Sequence, residues 1–98
     1  MGPCVLTVDS VPYPPCLGIR SYVNGELRQD SNTSKLIFNI DHIVSELSWG
    51  MLLKAGTIIS TGTPSGVGMG FDPPRFLESG DEVVCEVEKI GRIRNVVK

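Results

Sequence analysis

The chain alternates between two hydrophobic periods. Residues 18–27 read G-I-R-S-Y-V-N-G-E-L, with Ile19, Ser21 and Val23 on one side of an extended segment and Arg20 and Tyr22 on the other. Asn24-Gly25 then separates this run from a return strand beginning near Leu27, the strongest short signal for a β-hairpin. The same logic recurs near the end. Ser79-Gly80-Asp81 predicts a turn, and Glu82 to Glu88 alternates with Val83, Cys85 and Val87 on one face. Ile90-Gly91 turns the chain again, and Arg92 to Val97 returns. Between the hairpins, Ile40, Ile43, Val44 and Leu47 recur at the spacing of one helix face. Asn39 stands at the N-cap position, Asp41 in the first turn suits the positive end of the dipole, and Gly50 marks the end. A short strand is expected from Thr57 to Ser60 after Gly56. The prolines between Ser10 and Pro15 and the pair Pro73-Pro74 impose irregular, extended connections. The pattern predicts a mainly β fold with one short helix, in a single domain over residues 1–98.

Composition adds exclusions. Hydrophobic residues make up 41% and charged residues 20% of the 98 positions, an ordinary globular balance. The net charge is −2, and the densest basic cluster, Lys89, Arg92 and Arg94, is interrupted by Ile90, Gly91 and Ile93, so nucleic acid is not expected as a partner. No apolar run approaches the roughly 20 residues of a membrane helix, and the start M-G-P-C-V-L lacks the pattern of a secretory leader or a myristoylation signal. Cys4, Cys16 and Cys85 form an odd set without CxxC spacing, which suits reduced cysteines and a cytoplasmic location.

The candidate chemistry lies in S-T-G-T-P-S-G-V-G-M-G, residues 60–70. A phosphate-binding P-loop needs GxxxxGK[ST]; here the fifth position after Gly62 is Val67, and no lysine follows before Lys89. A dinucleotide fingerprint must open a helix, which Phe71-Asp72-Pro73-Pro74 forbids. Two readings remain from the residues alone. In one, Gly62 and Gly66 serve a tight turn and Gly68 to Gly70 a flexible connection. In the other, Gly62 lets a ligand approach the backbone, Thr63 supplies a hydroxyl and Pro64 fixes the bend, a combination suited to a small carboxylate.

The strings VNGELRQDSNTSKLIF, LLKAGTIISTGTPSGVG and PPRFLESGDEVVCEVEKIGRIRN occur in order and span most of the chain. Together they resemble the C-terminal half of the catalytic domain of the fumarylacetoacetate hydrolase family. Its pattern is VNGE-x-x-Q, an NTS segment, PGD-I-I-x-TGTP-x-GVG, F-L-x-x-GD and a last hairpin ending near I-G-x-L-x-N. The resemblance implies part of a mixed β-sandwich roll, commonly dimeric. It also implies an enzyme that uses Mg²⁺ or Mn²⁺ on 2-oxo acids: acylpyruvate C–C hydrolysis, oxaloacetate decarboxylation or keto–enol isomerisation. By the same resemblance, Gly62 and Thr63 align with the loop that meets the substrate carboxylate. Gln29 and Asn32-Thr33 match structural positions. Lys54-Ala55-Gly56-Thr57 departs from the usual PGD and weakens the loop's preorganisation.

The family's three metal carboxylates, its His–Glu pair and its lysine lie upstream of the matched segment. No catalytic residue and no metal ligand is therefore assigned here, no cofactor is expected on the isolated chain, and the 98 residues alone are expected to be inactive. Glu86 and Glu88 form an E-x-E in the wrong place and are expected to face solvent, and His42 to take a surface or capping role. Met1-Gly2-Pro3 falls in register with an x-G-P connector of the family, so Met1 is expected to be an internal methionine or a fragment boundary. The partners expected are a small 2-oxo acid or dicarboxylate and a second protein surface, in a homodimer or with a complementary half. The alternative function is a non-catalytic remnant acting as an interface or partner-binding β domain.

Overall fold

The computed structural model describes residues 1–98. Four strands, β1 (Gly18–Val23), β2 (Glu26–Asn32), β3 (Glu82–Val87) and β4 (Gly91–Val96), form one antiparallel sheet in the order β2-β1-β3-β4. One helix, α1 (Ile40–Gly50), and three single 3₁₀ turns complete the regular structure. Both hairpins form where the turn residues require them: Asn24 and Gly25 take positive φ (50° and 80°), the geometry that matches strand twist. The second hairpin turns through Lys89, at φ 65°, into Gly91. No helix is long and apolar enough to cross a membrane.

The helix begins as its sequence dictates. Asn39 stays extended and its Oδ1 accepts the His42 N–H at 2.8 Å, satisfying one of the donors left open in the first turn. Replacing Asn39 by alanine is expected to lower stability by about 1 kcal/mol, which denaturant unfolding would read.

Asn24 also ties the first hairpin to the third strand. Its backbone N–H donates to the Glu82 carbonyl at 2.8 Å, its Oδ1 accepts the Glu82 N–H, and its Nδ2 donates to Asp81 Oδ1. Asp81 Oδ2 in turn accepts the Glu78 N–H at 2.9 Å. The backbone bond from Glu78, then the amide of Asn24, holds the Asp81 carboxyl below its ordinary 3.8. A depressed folded pKa stabilises above the unfolded value, and the contribution is lost as pH falls through the folded one. Asp81→Asn is therefore expected to flatten the fall in stability below about pH 4, measured as unfolding midpoint against pH.

Three expectations need correction. Thr57 to Ser60 is not a strand, because no sheet neighbour is there to receive its ladder; only a turn bond from Thr57 N–H to the Lys54 carbonyl, 3.1 Å, orders its start. That bond, with Gly56 at φ 86°, keeps the turn despite the missing Pro and Asp. Gly68 to Gly70 is no flexible connection but a 3₁₀ turn whose Gly68 carbonyl accepts Arg75 N–H at 2.8 Å. Third, Glu86 is not simply solvent-facing. Its side chain is only 24% exposed and lies between Arg92, at 2.7 Å, and Arg20, at 3.7 Å. The register explains this: Asp30, Arg20, Glu86 and Arg92 stand opposite one another across all four strands and alternate in sign. Glu88 lies just past β3, exposed, with one oxygen accepting the Gly18 N–H at 2.8 Å.

The opposite face carries Ser21, Gln29, Cys85 and Ile93 in one row. A core does not close over it within these residues: Leu17 alone is buried, and Cys85 is exposed. The accessible surface is 7615 Å², against roughly 5,500 Å² for a compact monomer of this mass. The surplus is carried in part by Ile37 (93% exposed), Trp49 (87%) and Leu52 (81%). Single exposed apolar residues are ordinary, whereas a surplus of this size is not.

Candidate carboxylate-binding loop

The loop of residues 61–66 lies on the Ser21/Gln29 face of the sheet, and Gln29 holds it there. Gln29 Nε2 donates to Thr63 Oγ1 at 2.6 Å and to the Pro64 carbonyl at 2.8 Å, while its Oε1 accepts from the Ser21 hydroxyl at 2.8 Å. A bulge in the ladder between Ser21 and Tyr22 shifts the pairing from Ser21↔Gln29 to Tyr22↔Leu27 at this point. Gln29 thus performs the structural role assigned to it. Its partner, however, is the candidate site itself, a contact that neither Gln29 nor Thr63 announces in the sequence.

The glycines separate by function. Gly66 has φ 107°, and a Cβ there would overlap the Arg28 carbonyl oxygen and lie 3.0 Å from its carbon. Gly66 is therefore where the loop touches β2. Gly68 makes an equally close approach to the Arg75 carbonyl. Gly62, at φ 96°, has nothing within 4 Å of its would-be Cβ, so its need is conformational and the space in front of it is open. Phe71 anchors the far end, with the guanidinium of Arg28 5.2 Å and that of Arg75 5.3 Å from its ring centre. Glu26 links those arginines: both Arg75 nitrogens donate to its carboxylate at 2.8 and 3.1 Å, and Arg28 Nε stands 3.2 Å from it without hydrogen-bond alignment. The Arg75 bonds, ahead of the Arg28 charge, lower the Glu26 pKa.

What remains unpartnered defines the chemistry. No backbone N–H from Ile58 to Val67 donates within the chain, and Gly62 and Thr63 are both exposed. Free N–H groups beside a hydroxyl in a glycine-shaped bend suit an acceptor-only anion. An open groove of about 530 Å³ runs between α1 and the approach to the loop, lined by Phe38, His42, Glu46, Ile59, Ser60 and Thr61. His42 is exposed, as expected. The helix cap is Asn39, and the His42 ring stacks on Phe38 with centroids 5.0 Å apart.

A profile of the fumarylacetoacetate (FAA) hydrolase C-terminal domain matches residues 1–98. The chain belongs to the fumarylacetoacetate hydrolase family. It is 47% identical over 97 residues to the oxaloacetate tautomerase YisK of Bacillus subtilis, covering 99% of this chain and 32% of that protein. The fold is shared too. A fumarylacetoacetate hydrolase from Exiguobacterium antarcticum superposes with a TM-score of 0.93 at 42% identity, over 99% of this chain and 35% of its own. Maleylpyruvate hydrolase from Sphingobium, solved with manganese(II) and pyruvate, superposes with a TM-score of 0.85 at 35% identity, over 98% of this chain and 34% of its own. The mainly β architecture with one helix is therefore that of the family's C-terminal domain. The chain spans about a third of the length of the curated relatives it matches.

A divalent cation, such as the one in the Sphingobium relative, finds no ligand set among these residues. No three His, Cys, Asp or Glu side chains gather anywhere, and Glu86 is committed to Arg20 and Arg92. The side chains present do not fit the ion.

Proposed function

We propose that these residues form the carboxylate-binding wall of a divalent-metal-dependent enzyme acting on small 2-oxo acids. The observation that carries this reading is the Gln29-held loop, in which Gly62 and Thr63 are exposed and the Thr63 hydroxyl proton and the N–H groups of both residues have no partner in the chain. In this role the loop binds and orients the substrate's carboxylate and leaves the 2-oxo carbon for groups outside these residues. The reaction is keto–enol isomerisation, oxaloacetate decarboxylation or acylpyruvate C–C hydrolysis; a tautomerase and a hydrolase among the relatives support that range. The cation, Mg²⁺ or Mn²⁺, is held by residues outside this segment. The setting is cytoplasmic and reducing, in keeping with three free cysteines, and the assembly is a homodimer.

The test is turnover of oxaloacetate and acylpyruvates by the intact gene product with Mg²⁺ or Mn²⁺, beside the 98 residues alone. Metal-dependent turnover by the intact protein and none by the segment is the expected result. Inactivity of the intact protein toward all these substrates would sink the reading; activity of the segment would sink the external metal site. A second reading, an interface domain without catalysis, draws on the surplus accessible surface and on the exposed Ile37, Trp49 and Leu52. It would take the lead if the intact protein proved inactive yet dimeric.

A further inference from the structure

Three acceptors and donors around Gln29 leave only one way to distribute the protons. The Pro64 carbonyl can only accept, so the Gln29 atom 2.8 Å from it must be the amide nitrogen and not the oxygen. That settles the orientation of the amide without reference to any hydrogen position. Gln29 Oε1 is then the atom facing Ser21, and because an amide oxygen only accepts, the Ser21 hydroxyl must donate to it across 2.8 Å. The second proton on Nε2 points at Thr63 Oγ1, 2.6 Å away, and an amide nitrogen does not accept. Thr63 Oγ1 is therefore an acceptor on its inner side, and its own proton has no partner within the chain. Both Nε2 protons and the bond from Ser21 are used, so the network has no slack through which the polarity could reverse.

We infer that Gln29, seated by Ser21, is a positioning residue that keeps the Thr63 proton from turning inward, so that the hydroxyl donates outward and the loop favours ligands whose head group is an acceptor. This rests on the proposed carboxylate-binding role and deepens it. A threonine hydroxyl free to rotate can greet a donor or an acceptor. One whose lone pair is occupied from behind offers its proton in front, and a carboxylate gains more from that proton than a neutral carbonyl does. The neighbouring N–H groups of Gly62 and Thr63, also donors without partners in the chain, present the same sign. A 2-oxo acid thus meets a wall of donors, and a ligand offering an N–H or O–H finds there only the single lone pair of Thr63 that Gln29 leaves free.

The test uses the intact protein and pyruvate, titrated calorimetrically, with two substitutions of similar shape at position 29. In Gln29→Glu the ionised carboxylate can only accept. The Thr63 proton is drawn inward, and the Pro64 carbonyl faces another oxygen. Pyruvate affinity is expected to fall at least about tenfold. The loss should shrink as pH is lowered toward protonation of the introduced carboxyl, because the neutral acid regains one donor. In Gln29→Met the Thr63 hydroxyl is merely released, so a loss of only about threefold, the same at every pH, is expected. Ser21→Ala should behave like a weaker version of Gln29→Met. A purely structural role would lower affinity only as far as it lowers stability, so a pyruvate loss in Gln29→Glu that tracks its fall in unfolding midpoint at every pH, or unchanged pyruvate affinity in Gln29→Glu, would overturn the inference.

A readout without ligand separates this inference from the reading beneath it. In a nitrogen-15 spectrum both Gln29 side-chain amide protons should exchange slowly with solvent, and Thr63→Val should release one of them only. If the wild-type protein binds no pyruvate while this pattern holds, the carboxylate reading falls and the donor polarity of Thr63 stands. If both amide protons exchange freely in the wild type, the polarity assignment itself is wrong.

Discussion

Gly66→Ala is expected to be the most damaging single methyl that can be added to the loop. The new Cβ would overlap the Arg28 carbonyl oxygen and lie 3.0 Å from its carbon and 3.1 Å from Gln29 Cγ, all in or beside β2. The first two obstacles are the backbone of Arg28, the residue the ladder skips at the β2 bulge, held in place by the paired Leu27 and Gln29 on either side, so the loop must lift away. Positive φ at 107° adds strain for any L side chain. Together these should lower the unfolding free energy by about 2–4 kcal/mol. They should also pull Thr63 and Pro64 off Gln29, so that carboxylate affinity falls with stability. Gly62→Ala supplies the comparison, because its φ of 96° is equally unfavourable but its Cβ enters open space. Only the conformational cost, about 1–2 kcal/mol, should appear there. Denaturant unfolding of the two variants side by side is the measurement; equal destabilisation would mean that the close approach to β2 does not constrain the loop.

Thr63→Val is the complementary experiment, because it alters chemistry while keeping shape. Valine preserves the branched outline and removes the hydroxyl that Gln29 holds in place. A hydrogen bond to a carboxylate contributes about 1.5–3 kcal/mol, so KM for a 2-oxo acid should rise roughly 10- to 150-fold. Because the carboxylate keeps its charge and its bonds to the loop before and during the reaction, kcat should change little. Thr63→Ser keeps the hydroxyl and should stay within a few-fold of the wild type. Steady-state kinetics on the intact protein would separate these outcomes. Unchanged KM in Thr63→Val would remove Thr63 from the site, and a fall confined to kcat would assign it to the chemical step instead.

Exposure of the apolar face gives these variants their context. With Leu17 as the only buried residue, the loop cannot draw its rigidity from a core. It draws it from local devices: the Gln29 clamp, the close contact at Gly66, the Phe71 ring between two arginines, and the Arg75 N–H on the Gly68 carbonyl. Each ties the segment to β2 or to itself, which is why single substitutions there should have large effects.

Some features could be read directly from the residues, because they depend on neighbours in sequence. The two hairpins follow from Asn24-Gly25 and Ile90-Gly91 between alternating runs, and the helix from the spacing of Ile40, Ile43, Val44 and Leu47 behind the Asn39 cap. Periodicity and turn chemistry are local, so they survive without knowledge of the rest of the fold. The ordered motifs likewise sufficed to recognise the family. Other features depended on distant partners. Thr57 to Ser60 has the composition of a strand but no neighbour to pair with, and Glu86 has the alternation of a surface residue but stands between two arginines from other strands. Gly62 and Gly66 look interchangeable along the chain, yet one faces open space and the other the backbone of β2. Gln29 and Thr63 are separated by a helix and two loops, and only the folded chain sets them 2.6 Å apart. The sequence by itself determined the elements and the family, because these are encoded within a few residues or in ordered motifs. The tertiary structure decided which side chains meet at the loop, because a hydrogen bond depends on atoms brought together from separate segments, here 34 residues apart in sequence.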